Sequence, residues 1–552
     1  MAEINNFIKT KMQEDLDSGY VKEIITRFPP EPNAYLHIGH ARAIVTNFEL
    51  AKSFNGYTNL RFDDTNPAKE DKEFVSGIIE DLAWLGYEPK NVFYGSDYFE
   101  KTYEKAILLI KKGLAYVDDL SQEEISKYRG TLSEPGKDSP YRNRTIEENL
   151  RLFEEMKEGK YADGEKTLRA KIDMSSPNIN LRDPVMYRIL HIDHHRQGTK
   201  WCIFPMYDFA HPLQDSFEGI THSLCSLEYD NHRVLYDWVV ENCEIEAEYG
   251  KRPHQIEFGR LNITNTIMSK RYLRALVDSK KVSGYDDPRM PTLCGLRRRG
   301  YTPDSIRNFI LSTGLSRINS TVPAESLEEA LRDDLKLKAT RPNAVINPVE
   351  VVIDNYPEGE IEWLDAPENP EIENSPMRKI AFSKHVYIER EDFIEEKPNK
   401  KWKRLALGIE VRLMRAYFIK AVSVEKDSDG NITLIHATYD KETKSDTGFD
   451  LRKPNGNIHF VEKSTAIPAE FRKYEPLLIE TEENKDLDFM DKLNPNSIHI
   501  FNGFVESSLK TTTPLTHYQF IRNGYYVTDK DSTDTKLVFN ETCGLKSGFK
   551  LQ

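Results

Sequence analysis

The spacing of apolar residues over the first hundred positions predicts alternating helices and strands. Four apolar residues near the N-terminus recur at helical spacing and predict an amphipathic helix. They are Phe7, Ile8, Met12 and Leu16. Three runs rich in β-branched and aromatic residues follow at 23–28, 58–64 and 91–96, and helical patterns lie between them. This order of strand, helix, strand, helix and strand predicts a parallel, doubly wound sheet.

The alternating pattern stops at about residue 116 and resumes near residue 200. The stretch between is charged and rich in turn signals. Strand and helix patterns return at 201–262, so the middle stretch is interpreted as a domain inserted between two halves of one α/β fold. Helical signals dominate from 296 to 339. From residue 341 onward, strand alternation with hairpin turns at 427–431 and 522–524 predicts one or two all-β barrels.

These changes of pattern predict five segments. They are a first half of a Rossmann-type α/β domain (1–104), an inserted domain (105–200), the second half of the α/β domain (201–265), a loop with a helical subdomain (266–340) and β-barrel domains (341–552).

Composition excludes several classes of protein. The 552 residues are 38% apolar, which suffices for several cores, while a mean hydropathy of -0.62 and the absence of a long apolar run argue against a membrane protein. The N-terminal stretch lacks the apolar region of a signal peptide, so we expect a cytoplasmic protein without membrane partners. The five cysteines are scattered without a C-x-x-C pair, which argues against disulfides and structural zinc.

The charge balance alone does not identify a partner. The net charge of -14 disfavours nucleic acid, but binding depends on local patches. Basic residues cluster at 296–301 and 400–404. Either cluster alone is more often a solvated face.

The run RFPPEPNAYLHIGHARAI, residues 27–44, is the strongest local signal. A strand ends at its start, prolines stiffen the exit, and His37, Ile38, Gly39 and His40 open a helix. A helix N-terminus favours phosphate, and Gly39 leaves room for a base or ribose near the backbone. Two histidines one turn apart can both donate hydrogen bonds to a phosphate that gains charge. A bare H-x-x-H is more often a pair of ordinary surface histidines, so the flanking sequence decides.

A second signal is the run NTIMSKRYL, residues 265–273. It places Lys270 on a loop after the last α/β strand, where a mobile ammonium suits a departing pyrophosphate. A loop lysine by itself is usually just solvated. The two motifs in this order, around a split α/β fold, are specific together.

The two motifs resemble the HIGH and KMSKS signatures of class I aminoacyl-tRNA synthetases. Longer strings, among them NLRFDDTNPAKED, PMYDFAHPLQDSFEGITHSLCSLEY and DDPRMPTLCGLRRRGY, resemble the glutaminyl-tRNA synthetase family over essentially the whole chain. The resemblance implies an α/β, Rossmann-type catalytic domain with an inserted acceptor-binding domain, a helical subdomain and C-terminal all-β anticodon-binding barrels. The expected partners are tRNA(Gln), L-glutamine and ATP, with no DNA, and a monomer is expected.

The resemblance also implies site residues. Those for ATP are Glu31, Pro32, Asn33, His37, Ile38, Gly39, His40, Ala41, Arg42, Ala43, Ser226, Arg260, Leu261, Met268, Ser269 and Lys270. Those for glutamine are Arg27, Asp63, Tyr207, His211 and Gln255. Those for tRNA are Arg341, Arg404 and Arg412. Asp63 would hold the ammonium of glutamine, and Asp64 is a candidate capping residue.

The implied reaction has two steps. The glutamine carboxylate attacks the α-phosphorus of ATP, and the 2′-hydroxyl of the terminal adenosine then takes the acyl group. The first step needs alignment and charge stabilisation rather than a base, and His37, His40 and Lys270 are the expected catalytic residues. Mg²⁺ is expected to arrive with ATP, and no protein metal cage is predicted.

Other interpretations stay open. A glutamyl-tRNA synthetase shares the core, but neutral Cys225 occupies a position where arginine is expected in such enzymes. A non-catalytic tRNA-binding relative would have decayed motifs, and a small nucleotidyltransferase would need neither the insertion nor the barrels. Two departures from the pattern are Ile267, in place of the leading lysine of KMSKS, and Ala34, where glycine would be natural.

Overall fold

The computed structural model describes residues 6–67, 72–479 and 481–546. The chain forms two compact units. The first holds the described residues up to Ile263 together with Arg307–Val322, and the second holds Thr264–Ile306 and the described residues from Pro323 onward.

The first unit contains helices and short strands in alternation. Its helices are α1 (Phe7–Asp17), α2 (Ile38–Ser53), α3 (Lys72–Trp84), α4 (Phe99–Lys111), α5 (Gln122–Arg129), α6 (Ile146–Lys157), α7 (Tyr207–Phe217), α8 (Arg233–Asn242) and α9 (Ile245–Tyr249). Its strands are β1 (Ile25–Phe28), β2 (Tyr57–Phe62), β3 (Val92–Tyr94), β4 (Ala115–Asp118), β5 (Thr167–Ala170), β6 (Val185–Ile189), β7 (Ile203–Pro205), β8 (His222–Ser226), β9 (His254–Phe258), β10 (Leu261–Ile263) and β11 (Ser320–Val322).

The second unit is mostly β. Its helices are α10 (Lys270–Asp278), α11 (Leu293–Arg299) and α13 (Ala324–Lys338), while α12 (Pro303–Ser312) contains the boundary between the units. Its strands are β12 (Ala344–Val345), β13 (Pro348–Ile353), β14 (Glu362–Pro367), β15 (Met377–Phe382), β16 (His385–Glu389), β17 (Phe393–Ile394), β18 (Leu405–Ala406), β19 (Glu410–Leu413), β20 (Phe418–Lys426), β21 (Ile432–Asp440), β22 (Asn457–Ile458), β23 (Val461–Glu462), β24 (Ile467–Tyr474), β25 (Ile498–Val505), β26 (His517–Phe520), β27 (Gly524–Thr528) and β28 (Leu537–Cys543).

Parallel strands form the framework of the first unit, as the sequence predicts. The strands β1, β2 and β3 pair in parallel in that order, and β8 pairs in parallel with β9. The backbone N–H of Thr221, just before β8, donates to the carbonyl of Ile25 at 2.9 Å, which joins the two groups at their amino ends. Because β1 has β2 on one side and β8 on the other, the strand order reverses there, and ligands bind at such a point in open α/β sheets.

An antiparallel sheet lies between the two halves of the parallel framework in the sequence. It has the order β4-β5-β6-β7 and covers residues 115–205. Its buried side chains share one apolar cluster with α4, α6, α7 and α8. Strand β6 belongs to this sheet and carries a residue of the cavity described below.

The N-terminal amphipathic helix is confirmed as α1. Asn6 caps it by accepting the N–H groups of Ile8 and Lys9, both at 3.0 Å. Ile8 and Met12 are fully buried in a cluster with residues of α2, β8 and β9. The helix is therefore part of the first unit's core rather than a loose extension.

The C-terminal region forms two larger sheets, one of six and one of seven strands. The predicted turn at 427–431 joins β20 to β21, and the predicted turn at 522–524 joins β26 to β27. The mixed α/β class with a β-rich C-terminal region is thus confirmed, whereas the five-segment division stays a prediction.

No helix of the described residues has the length and apolar character that a membrane crossing requires.

Candidate active site

The start of α2 fixes the two histidines of the first motif. His37 is the N-cap residue, and its Nδ1 atom accepts the N–H of Gly39 at 3.1 Å. The Nδ1 atom of His40 accepts the N–H of His37, also at 3.1 Å. The ring centroids are 3.9 Å apart. Since both Nδ1 atoms are acceptors, the proton of each imidazole in its neutral form is on Nε2, and helix capping fixes the orientation of both rings.

The guanidinium of Arg27 occupies the region between β1 and β8. Arg27 is fully buried and donates from its terminal nitrogens to the carbonyl of Leu224 at 2.8 Å and towards the Cys225 thiol at 3.4 Å. Its Nε–H donates to the Asp215 carboxylate at 3.0 Å. The side chain of Arg27 thus connects β1 to β8 and to Asp215 of α7 through hydrogen bonds.

Asp215, on α7, organises the buried polar groups of this region. Its carboxylate accepts hydrogen bonds from Arg27 and Arg61 on one oxygen, and from Ser223 at 2.6 Å and Tyr236 at 3.0 Å on the other. Burial opposes ionisation, but the charges of Arg27 and Arg61 together with the remaining partners hold the pKa of Asp215 far below its usual value. The arginines therefore keep a fixed charge partner without contact with solvent.

A stack of rings extends from this network towards the site. The Tyr207 and His211 rings stack with centroids 4.9 Å apart, and Tyr229 lies 5.3 Å from Tyr207. Burial, together with the neighbouring arginines, lowers the pKa of His211 to about 3, while the charge of Asp215 and a hydrogen bond to Gln255 act against this shift. His211 is therefore neutral at physiological pH. Four of the five residues predicted for glutamine, Arg27, Tyr207, His211 and Gln255, thus form one connected group.

One cavity of about 230 Å³ brings together residues predicted for ATP and for glutamine. Its lining consists of Glu31, Asn33, Asp63, Thr65, Asn66, Arg188, Pro205, Met206 and Tyr207. Glu31 and Asn33 come from the ATP set, and Asp63 and Tyr207 come from the glutamine set. The amide of Asn33 also donates a hydrogen bond to Glu31.

The two aspartates that follow β2 have different surroundings. The N–H of Asp63 donates to the carbonyl of Pro30 at 3.0 Å, and its carboxylate accepts from Thr65 at 2.9 Å. Burial raises the pKa of Asp63. Asp64 is fully buried and accepts the N–H and the hydroxyl of Ser96, both at 2.7 Å, at the start of a short 3₁₀ helix. The capping interpretation of Asp64 agrees with these contacts, and Asp63 is the carboxylate that faces the cavity.

Several residues of the predicted ATP set serve the packing of α2. Ile38 and Ala41 are buried, and Ala43 packs against the cluster around α1. Arg42 is buried and donates to the carbonyls of Gly259 and Gly314 and to the Thr313 hydroxyl, at 2.9 to 3.1 Å. These contacts hold α2 against the chain segments after β9 and α12.

The remaining first-unit residues predicted for ATP lie at the end of β8 and around β10. Ser226 and Arg260 both contact Glu228, whereas Leu261 is buried. The Ser226 hydroxyl donates to Glu228 at 2.8 Å, and Glu228 also forms an ion pair with Arg260. Leu261 is buried in β10. Nothing in these contacts tests their role in nucleotide binding, which stays a prediction.

The residues of the second motif belong to the second unit. Ser269 is the N-cap of α10, and Lys270 is the first residue of that helix. Ile267, at the position of the missing lysine, is buried in an apolar cluster with Leu273 and Leu276, while Met268 precedes the cap. The loop is thus anchored by an apolar side chain two residues before Ser269.

The three arginines predicted for tRNA do not share one environment. Arg341 and Arg412 line a cavity of about 410 Å³ in the second unit, together with Arg378, Arg415 and Arg522. Arg404 is not part of that lining; its guanidinium donates to the Glu391 carbonyl at 2.8 Å and pairs with Asp392 at 3.3 Å.

Two groups of aspartate and histidine side chains each bring three potential metal-ligand atoms within 4.8 Å of one another. Within the described ranges they are Asp15 with His222 and His254, and Asp64 with His194 and His195. The Lys11 ammonium also bonds Asp15 at 2.8 Å, and His194 Nε2 lies 2.7 Å from the Asp64 carbonyl. Hydrogen bonds among protein groups account for both, and the expectation that the protein provides no metal cage stays a prediction.

Sequence reasoning missed Asp215 and part of the cavity lining. Thr65 and Asn66 lie two and three residues after Asp63, so their closeness in sequence to a candidate substrate-binding residue was an available signal. Asp215 is four residues after His211 on α7, which places the two side chains on one face. Arg188 lies in a strand of the inserted sheet, far from the motifs in sequence, and no local signal marks it.

Comparison with known proteins identifies the family. Family models described as tRNA synthetases class I (E and Q) match the catalytic domain at 23–337 and anticodon-binding domains at 339–440 and 457–529. A glutamine–tRNA ligase of Clostridium perfringens is 58% identical over 99% of this chain and 99% of its own, and one of Proteus mirabilis is 53% identical over 99% and 97%. A glutamate-tRNA synthetase of known structure from Elizabethkingia anophelis has a TM-score of 0.42 at 18% identity, over 57% of this chain and 71% of its own.

The resemblance seen in the motifs is thereby confirmed over nearly the full length of the chain. This chain belongs to the class I tRNA synthetases of the glutamate and glutamine group, and the full-length relatives that it matches at 58% and 53% identity are named glutamine–tRNA ligases.

Proposed function

We propose that this protein joins L-glutamine to tRNA(Gln) at the expense of ATP, through a glutaminyl-adenylate. The observation that carries the proposal is one cavity that both sets of predicted residues line. Glu31 and Asn33 belong to the residues predicted for ATP, and Asp63 and Tyr207 belong to those predicted for glutamine. A site that activates an amino acid must hold the amino acid and ATP within bonding distance of each other. A cavity lined by residues predicted for each substrate meets this requirement.

The chemistry follows from the groups that line the site. A glutamine carboxylate oxygen attacks the α-phosphorus of ATP, and pyrophosphate leaves. Asp63 would hold the substrate ammonium, and the Nε2–H groups of His37 and His40 would donate to phosphate oxygens as charge develops. Lys270 would follow the pyrophosphate. The 2′-hydroxyl of the terminal adenosine then attacks the acyl carbon, and AMP leaves. Mg²⁺ would enter as part of its complex with ATP.

The side-chain pocket favours glutamine over glutamate. The Cys225 thiol is buried beside Arg27, and burial raises its pKa, so the position is neutral. The charge of Arg27 is already compensated by Asp215 at 3.0 Å. Beside Cys225 and Arg27 a glutamate side chain would therefore meet no uncompensated cation, whereas a neutral amide can bond to the phenol of Tyr207. The names of the close relatives support the same choice.

The cavity lined by Arg341 and Arg412 suits single-stranded nucleotides. Several guanidinium groups surround one opening, and arginine bonds and stacks on unpaired bases. This supports the proposed reading of the anticodon by the C-terminal sheets, with Arg341 and Arg412 as contacts.

Aminoacylation of tRNA with labelled glutamine and, separately, labelled glutamate tests the proposal. Charging with glutamine alone supports it. Charging with glutamate would show that the argument from Cys225 is wrong, and charging with neither would favour a non-catalytic tRNA-binding protein. Lys270→Ala should lose charging, whereas Lys281→Ala, at an exposed position just after the same helix, should not.

A further inference from the structure

Arg188 is a cation of the cavity that has no ion-pair partner among the described residues. It lies on β6 and lines the cavity together with Glu31 and Asp63. Its Nε atom is buried and has no hydrogen-bond partner in the described structure, and burial lowers the pKa of the guanidinium. Arginine nevertheless keeps its charge at physiological pH. A half-buried charge without a protein partner is less favourable than a paired one, so this position suits an anion that the described residues do not supply.

The other buried arginines of the first unit all have hydrogen-bond partners. Arg42 and Arg182 donate to backbone carbonyl groups. Arg27 and Arg61 bond to Asp215 at 3.0 and 2.8 Å, and Arg169 bonds to Asp118 at 2.7 Å. All three are at most 1% exposed and have a carboxylate partner. Within the described part of the chain Arg188 has no such partner, and it faces the open cavity instead of the core.

The lining restricts which substrate group can approach Arg188. Among the residues that line the cavity in the described structure, it is the one arginine or lysine, and two carboxylates lie with it. The carboxylates suit the ammonium of glutamine. The carboxylate of glutamine becomes a neutral acyl group once it is activated, so phosphate is the anionic group that remains near the reaction centre in both steps.

Resting on the proposed function, we propose that Arg188 binds a phosphate group of a substrate in this cavity. The phosphate belongs either to the phosphodiester that precedes the terminal adenosine of the tRNA or to the α-phosphate of the adenylate. A guanidinium can donate two parallel hydrogen bonds to phosphate, which would fix the substrate as well as neutralise it. Arg188 is then a substrate-binding residue supplied by the inserted antiparallel sheet.

The test uses Arg188→Met, which keeps most of the length of the side chain without its charge, and Arg188→Lys, which keeps the charge without the fork. Arg151→Met is the matched control, because Arg151 lies on the exposed face of α6 and pairs with Glu155 at 2.9 Å. We expect Arg188→Met to lower kcat/KM by about tenfold or more, Arg188→Lys to recover part of the loss, and the control to match the wild type. Circular dichroism checks that each variant is folded.

A tRNA with a neutral methylphosphonate at its last internucleotide linkage distinguishes the two sources of phosphate. If Arg188 contacts this linkage, the wild type loses activity with the modified tRNA and Arg188→Met loses nothing further. If Arg188 contacts the adenylate, the loss of activity caused by the modified tRNA and the loss caused by Arg188→Met multiply. Release of pyrophosphate then also slows in Arg188→Met. Activity of Arg188→Met within about twofold of the wild type for every substrate would overturn the inference.

Failure of the inference can be told apart from failure of the proposed function. A wild-type protein that charges intact tRNA with glutamine, combined with an unaffected Arg188→Met, overturns only the role of Arg188. A wild-type protein that charges no tRNA with glutamine overturns both. If Arg188→Met fails to fold, the methylphosphonate comparison between the wild type and the folded Arg188→Lys variant decides.

Discussion

The backbone N–H of His37 donates to Nδ1 of His40 at 3.1 Å, so the second histidine of the motif caps the helix that the first one begins. One interaction thus has two effects. It satisfies an N–H group at the helix N-terminus, and it places the imidazole proton of His40 on Nε2. Helix capping and the proposed phosphate contact therefore use different nitrogens of the same ring, and substitutions can separate them.

Substitution of His40 should separate helix capping from phosphate contact. The shorter asparagine side chain in His40→Asn can still accept the N–H of His37, but it cannot reach the position of Nε2. The longer glutamine side chain in His40→Gln can place its amide near that position. We expect the thermal midpoint of His40→Asn to remain close to that of the wild type, and its kcat to fall about 10²-fold or more. His40→Gln should retain more activity. Aminoacylation kinetics and thermal unfolding measure both effects, and equal losses of activity in the two variants would contradict the assignment.

Substitution of Asp63 should weaken the binding of glutamine specifically. In Asp63→Asn the charge that faces the substrate ammonium is lost while the size of the side chain is kept. The KM for glutamine should rise by about 10- to 100-fold, since a charge-assisted hydrogen bond contributes about 1.5–3 kcal/mol, and the KM for ATP should change little. The matched control is Asp163→Asn, an exposed carboxylate that bonds His191. A rise of KM for ATP but not for glutamine would show that Asp63 serves the nucleotide instead.

The buried carboxyl of Glu218 should make stability depend on pH. Burial, opposed by Arg61 and reinforced by Asp215, raises the pKa of Glu218 from 4.5 to about 7. Because the folded-state pKa lies above that of the unfolded chain, the stabilisation is fully present below about pH 4.5 and is lost as pH rises through about 7. Glu218→Gln cannot ionise, so it should lack this dependence.

Thermal unfolding of the wild type and of Glu218→Gln from about pH 5 to about pH 8 measures the effect. The wild type should lose stability relative to the variant over this range, by at most about 3 kcal/mol. The control is Glu100→Gln on α4, whose side chain is 53% exposed and which should follow the wild type. Parallel curves for the wild type and Glu218→Gln would show that this carboxyl does not titrate in the window.

The arginines of the C-terminal sheets should differ in their effect on tRNA. Arg412 lines the cavity of about 410 Å³, whereas Arg404 is bonded to Glu391 and Asp392 outside its lining. We expect Arg412→Met to raise the KM for tRNA by about tenfold or more, and Arg404→Met to raise it by less than about threefold. Both variants should leave the KM for glutamine unchanged. The reverse order of effects would move the nucleotide contact to the surface around Arg404.

The sequence alone predicted the elements whose signals are local. Helix α1 followed from apolar spacing, and the turns at 427–431 and 522–524 followed from turn residues. The position of His37 and His40 at a helix start followed from the preceding prolines and the helical pattern after His40. Hydrophobic periodicity and turn chemistry act over a few residues, so a linear pattern contains them. The family resemblance added the expected roles of residues that local patterns do not mark, such as Tyr207.

Only the tertiary structure decided which distant side chains share an environment. Asp215 bonds Arg27, which is 188 residues away, and Arg188 meets Asp63 at one cavity although it belongs to a different sheet. The charge partner of a buried arginine depends on how strands and helices pack, and no local pattern encodes that packing. For the same reason the missing partner of Arg188 became visible only once the chain was folded, because a residue lacks a counter-charge only relative to everything packed around it.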